Sequence, residues 1–206
     1  MIGAELTIQL VVLRLLSGLI IVTVQGAAIA AAAVLLGDKG PRHDERLTLM
    51  PFGHVDLLGL GSIMVSGFGW SKPVAIEAGQ LRLGRWGLVI AVLAGSAALL
   101  ALGYLLVQLI IPGLLLLPYT AGLTVSAFLR TAARLCVWTA LFMLVPVPPL
   151  AGAHLLAAVG IRLPAASGML IGWGLLLVSV LGVTRMVLTP LYNIVAPLVL
   201  GPEFSG

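Results

Sequence analysis

"MLVPVPPLAGAHLL" (residues 143–156) interrupts a chain that otherwise reads as membrane-spanning helix. Pro146, Pro148 and Pro149 cannot continue a helix, because each removes a backbone donor and clashes with the preceding turn. Irregular backbone at membrane depth is tolerated only where protein or a water-filled cavity surrounds it. The break must therefore lie against other parts of the chain, and the apolar runs around it decide the fold.

Those runs dominate the composition. The 206 residues are 61% hydrophobic and 9% charged, with a mean hydropathy of +1.20. A soluble domain is about half apolar and about a quarter charged. The chain is thus an all-α polytopic integral membrane protein, with residues 1–206 expected to form a single transmembrane domain. The net charge of +4 comes from few groups clustered between apolar runs, which points to membrane orientation and away from nucleic acid. Cys136 is the only cysteine and lies in an apolar run, so it cannot form an internal disulfide and reads as packing. No cleavable signal is expected, since "MIGAELTIQL" has no basic segment and the apolar run after it is too long.

The first run covers about 6–36 and contains Arg14 and Gln25. Roughly 20 residues cross the hydrocarbon, so Arg14 is expected near one end, snorkelling outward. A polar loop (37–54) follows, then a glycine-rich stretch (55–69) that is short for a crossing and suits a re-entrant or broken segment. A second polar loop (70–85) precedes spans at about 86–111 and 122–145, and a last run covers about 168–200. Lys39, Arg42 and Arg46 lie in the first loop; Lys72, Arg82 and Arg85 lie in the second. The positive-inside tendency places both in the cytoplasm, which agrees with the re-entrant reading.

Five blocks in order then carry a family likeness. "GD" (37–38), "RLTLMPFGHVDLLG" (46–59), "GFGWSKPV" (67–74), "VLAGSAALL" (92–100) and "LVPVPPLAG" (144–152) resemble the small bacterial branch of the site-2 protease family. Members are intramembrane zinc metallopeptidases. The resemblance implies two histidines one helical turn apart, a glutamate between them as base, and an aspartate after the prolines as third zinc ligand. Counted in register from Asp38, the His-Glu-x-x-His motif falls on Gln25, Gly26, Ala27, Ala28 and Ile29. The aspartate position is Ala151. All three ligands and the base are therefore absent, and no histidine precedes His43. The asparagine before the prolines is Met143, and the family's Ala-Gly-Pro reads Ala94-Gly95-Ser96. A helix relieved of an ionisable group gains about 2.5–3.5 kcal/mol at the bilayer centre on the insertion scale. Gly26, Ala30 and Ala33 share one face and favour close helix contact there.

The remaining polar residues each have two readings. His54 and Asp56 match the family pattern; with His154 they could form a substitute metal or proton site, or simply anchor the short segment by hydrogen bonds. His43 sits among charges and reads as solvated. Arg130 and Arg134 share a helix face, eight and twelve residues into a span beginning near Gly122. Their depth suggests an anionic lipid or a partner's carboxylate; if the helix instead begins near Ala127, both snorkel to headgroups. Gly168 and Gly172 have GxxxG spacing, which suits close packing within the chain or against a partner. Trp70, Trp86 and Tyr119 read as interfacial anchors.

The expected protein is a site-2 protease-like bundle without peptidase activity or cofactor, serving as an accessory subunit among membrane lipids and other membrane proteins. One alternative is an active zinc metalloprotease using His54, Asp56 and His154. Another is a solute or ion pathway through Arg130, Arg134 and Asp56. Haem has no suitably paired histidines to hold it.

Overall fold

Asp56 caps a short apolar helix and shows how the chain is folded. The computed structural model describes residues 7–161 and 167–204; residue 6, the expected start of the first run, lies outside them. Among the described residues all regular structure is helical, and the one β feature is an isolated bridge between Val55 and Ser71. In chain order the helices are α1 (Ile8–Leu35), α2 (Gly40–His43), α3 (Leu57–Ser66), α4 (Arg85–Gln108), α5 (Ile110–Leu116), α6 (Tyr119–Phe142), α7 (Ala153–Ala158), α8 (Ser167–Val180) and α9 (Val183–Leu200). Four segments are long and apolar enough to cross a membrane: Ile8–Leu35, Arg85–Leu116, Tyr119–Phe142 and Val183–Leu200. The chain is a polytopic membrane bundle.

Helices α1, α4 and α6 pack on one another at its centre. Small residues permit this. Ala30 and Ala33 of α1 are fully buried, and a side chain at Gly95 of α4 would collide with Ile29. Ser96, standing where the family has proline, keeps α4 helical and donates to the Ala140 carbonyl of α6 at 3.2 Å. On the other side of α6, Phe68 meets Trp138 and Phe142 edge-on at 5.2 and 5.7 Å, and Trp138 stacks on Tyr192 of α9 at 4.1 Å.

The Asp56 carboxylate caps α3, accepting from Gly59 N at 2.8 Å, and Gly67 ends it in the left-handed region (φ +82°). Ten residues make a helix about 15 Å long, half the hydrocarbon thickness. The polar loops on either side of it are tied together. Lys72 N donates to the His54 carbonyl and Arg82 N to the Leu36 carbonyl, both at 2.8 Å. Asp38, fully buried, accepts from Glu77 N at 2.8 Å, and the Arg46 guanidinium donates to the carbonyls of Gly53, Lys72 and Pro73. The segment 55–69 therefore enters the bundle and returns to the same end.

Several elements depart from the sequence expectation. Arg14 does not snorkel outward. It is 9% exposed and donates to the carbonyls of Met64 and Val65 at 3.2 and 2.7 Å, closing the C-terminal end of α3. A helix end inside a bundle leaves carbonyls without partners, and a cation satisfies them. The last run is two helices rather than one, because Gly182 (φ +80°) turns the chain between α8 and α9. Trp70 is no anchor: it is buried against Gly59 and Gly172, whereas Trp86 and Tyr119 are exposed at helix starts. Finally, α6 begins at Tyr119, so the start near Ala127 is excluded and Arg130 is the twelfth of its 24 residues.

Candidate functional site

Gln25, Gly26 and Ile29 occupy the buried side of α1 that meets α4 and the loop before α3. Gln25 is 1% exposed and its Oε1 finds no hydrogen-bond donor among the described residues. Ile29 lies over Gly95. Gly26 lies under the ring of His54: a Cβ added there would collide with Nδ1 and stand 3.0 Å from Cγ. The imidazole thus fills the room into which a side chain at position 26 would project.

His54 is itself fixed from the other side. Its Nε2 lies 2.8 Å from the Thr48 carbonyl, and since a carbonyl only accepts, Nε2 carries the proton. Nδ1 is then a bare acceptor, buried without a partner. Burial holds the His54 pKa below the usual imidazole value; the Thr48 hydrogen bond opposes this shift and the nearby Arg46 charge reinforces it. The ring is accordingly neutral at pH 7.

The proline break supplies the opposing wall. Gly152 N donates to the Met143 carbonyl at 2.7 Å, folding the chain back on itself. No other residue fits at 152, since a Cβ would run into the Val145 carbonyl. This turn brings Ala151 to a cavity of about 340 Å³ that Ile29, Met143, Leu150 and His154 also line. Ile29 and Ala151, far apart in sequence, therefore face one space, and both sides of it are hydrocarbon. His154 Nε2 donates to the Val74 carbonyl at 3.0 Å. Burial lowers its pKa, against the opposing effect of that hydrogen bond.

A catalytic zinc needs three protein donors and an open fourth position. Positions 25, 29 and 151 offer one amide oxygen, an isoleucine and an alanine. These residues do not fit the ion. The substitute set is dispersed: His54 is bonded to Thr48, Asp56 to Gly59 and His154 to Val74. Among the described residues no group of three His, Cys, Asp or Glu side chains could hold a metal.

Arg130 and Arg134 are both exposed, on the outer face of α6. Arg134 lies over the Phe204 ring at 5.5 Å, and Asp56 is engaged at α3 instead of pairing with either arginine. Gly172 packs against Leu58 and Trp70 of its own chain, whereas Gly168 has open space around it. His43 is exposed. Sequence reasoning missed the His54–Gly26 contact, Arg14's role at α3, and Arg185. The last had a visible signal: a single arginine inside the apolar run "VTRMVL" (183–188).

No family model matches the chain, and no solved structure matches it. Among curated proteins it is 33% identical over 135 residues to the protein named "Putative zinc metalloprotease YwhC" of Bacillus subtilis (strain 168). The match takes in 63% of this chain, which spans about three-fifths (61%) of that relative's length. Sequence blocks, four helices of membrane-spanning length and this match agree on a polytopic membrane protein that is similar to that relative and resembles the site-2 protease lineage.

Proposed function

We propose that this protein is a catalytically inactive member of that lineage, and that it acts as an accessory subunit holding partner transmembrane helices. The reading rests above all on the cavity where Ile29 faces Ala151. A hydrolytic site there would need a metal to acidify water, and the donors are lacking. The small-residue face of α1 is used for packing, with His54 seated on Gly26. What remains is an apolar recess between α1, the 71–75 stretch and the proline break, open on one side. Such a recess suits the apolar flank of another helix. We further place the protein in a bacterial inner membrane with loops 37–54 and 70–85 in the cytoplasm, on the positive-inside tendency.

The test is purification in mild detergent with metal analysis, a peptidase assay on transmembrane substrates, and identification of co-migrating membrane proteins. The expected result is substoichiometric zinc, no cleavage, and a defined partner in constant ratio. Stoichiometric zinc, lost with cleavage in His54→Ala, would establish the substitute-ligand enzyme instead. A homogeneous lone monomer would defeat the subunit reading.

A further inference from the structure

We infer that the cleft between α6 and α9 is a binding site for an anionic phospholipid, gripping its headgroup phosphate through Arg134 and Arg185. The cleft is a cavity of about 300 Å³ lined by Arg134, Arg185, Thr189, Tyr192, Asn193 and Phe204, with Trp138 at its floor. It lies away from the α1 recess, shares no lining residue with it, and stands whether or not the chain is an enzyme.

Both guanidiniums lie against aromatic rings. Arg185 lies 5.4 Å from the Trp138 ring and 5.7 Å from that of Phe68, and Arg134 lies 5.5 Å from Phe204. A ring consumes none of the five N–H donors of a guanidinium in a conventional hydrogen bond, and those donors form the fork that matches phosphate oxygens. Neither guanidinium donates a hydrogen bond or pairs with a carboxylate among the described residues. Arg130, one turn before Arg134, is also without a partner, so the positive charge of this face is uncompensated within the described chain. The Tyr192 hydroxyl and the Asn193 amide add neutral donors along the same cleft, while the Thr189 hydroxyl donates to the Arg185 carbonyl at 2.6 Å.

Location favours a lipid over a partner's carboxylate. Arg185 is the third residue of α9, close to the end of that helix. Beneath it, Trp138 is four residues from the end of α6, so these two ends lie together. Arg134 lies one turn earlier on α6, and its long side chain can reach along the cleft toward Arg185. The outer flank of α9 exposes Met186, Val187, Leu191, Ile194 and Leu198, a surface that acyl chains would cover. Basic pockets between membrane helices are known resting places for acidic headgroups.

The experiment is native mass spectrometry of the full chain in mild detergent, titrated separately with phosphatidylglycerol, phosphatidylcholine and inorganic phosphate. We expect phosphatidylglycerol to be retained over phosphatidylcholine, and Arg134→Gln/Arg185→Gln to weaken it about tenfold or more, while Arg42→Gln in the first loop leaves it unchanged. If the double variant does not fold, Arg185→Gln alone carries the same expectation with a smaller loss. Equal retention of both lipids, or indifference to the substitutions, overturns the inference. Displacement of the lipid by inorganic phosphate at equal concentration also overturns it, because a free anion is then the occupant. So does failure of phosphatidylglycerol alongside arginine-dependent capture of a leucine-rich transmembrane peptide bearing one central glutamate.

Discussion

The recess beside α1 and the cleft between α6 and α9 are built on opposite principles. At the first, positions 25, 26, 29 and 151 hold Gln25, Gly26, Ile29 and Ala151; His54 covers Gly26, and Ile29 and Ala151 line an apolar recess. At the second, arginines stand on helices long enough to span a bilayer, and among the described residues no acid pairs with them. A charge within the bilayer costs free energy, so it is kept where it has a partner or a ligand. Arg14 is the internal control. It is equally cationic and lies within α1, yet the carbonyls of Met64 and Val65 satisfy it. The contrast teaches that one bundle can line one recess with hydrocarbon while presenting unpaired cations at another.

The sharpest way to break this comparison is to return the family's base to α1. Gly26→Glu places a carboxylate where the His54 ring lies, combining overpacking with an unpaired buried charge. We expect the single variant to lose its monodisperse peak in detergent size-exclusion chromatography, and Gly26→Glu/His54→Ala to regain part of it. A well-folded single variant would mean that the α1 face is not committed to packing.

Next in size is the arginine contrast. Arg14→Leu leaves the two carbonyls unsatisfied and should lower stability by about 1–3 kcal/mol, read as a fall in melting temperature. Arg130→Leu, at a residue with no partner, should leave that temperature unchanged or raise it. Equal losses from the two would erase the distinction. Smaller again, Ser96→Ala removes one buried hydrogen bond between α4 and α6, worth about 0.5–1.5 kcal/mol.

The smallest effect is on pH dependence. His54 and His154 both have folded pKa values below the unfolded one. Their unfolded forms therefore take up protons first on acidification, and stability falls as the pH drops below about 6.5 toward the folded values. Melting curves between pH 7.5 and about pH 5 should show that slope, and His54→Gln should flatten it without abolishing it, because His154 remains. A flat profile in the parent protein would mean that burial of these rings is not what it costs to charge them.

Much of the bundle was legible because hydrophobic runs are long and the polar loops between them are unmistakable. The re-entrant segment was legible from length alone, since ten helical residues cannot cross. The division of the last run was not, because Gly182 sits in an unbroken apolar stretch and only its backbone angle reveals the turn. At the candidate site, the residues at positions 25, 26, 29 and 151 could be read by register counting, but nothing local says that His54 lies on Gly26. That contact joins two helices through a loop, and pairings of this kind depend on the tertiary fold. Arg14 was misread for a related reason: snorkelling is the default for a lone cation near a helix end, and its acceptors lie 50 and 51 residues away.

That separation carries a consequence for biogenesis. As the ribosome delivers the protein, α1 arrives with a cation whose acceptors have not yet been synthesised. Until Val65 emerges, the Arg14 guanidinium lacks the acceptors that hold it inside the folded bundle, and α1 is expected to enter lipid fully only once α3 docks. Nascent chains arrested before residue 64 should remain crosslinked to the translocon through α1, and those arrested well beyond residue 65 should not.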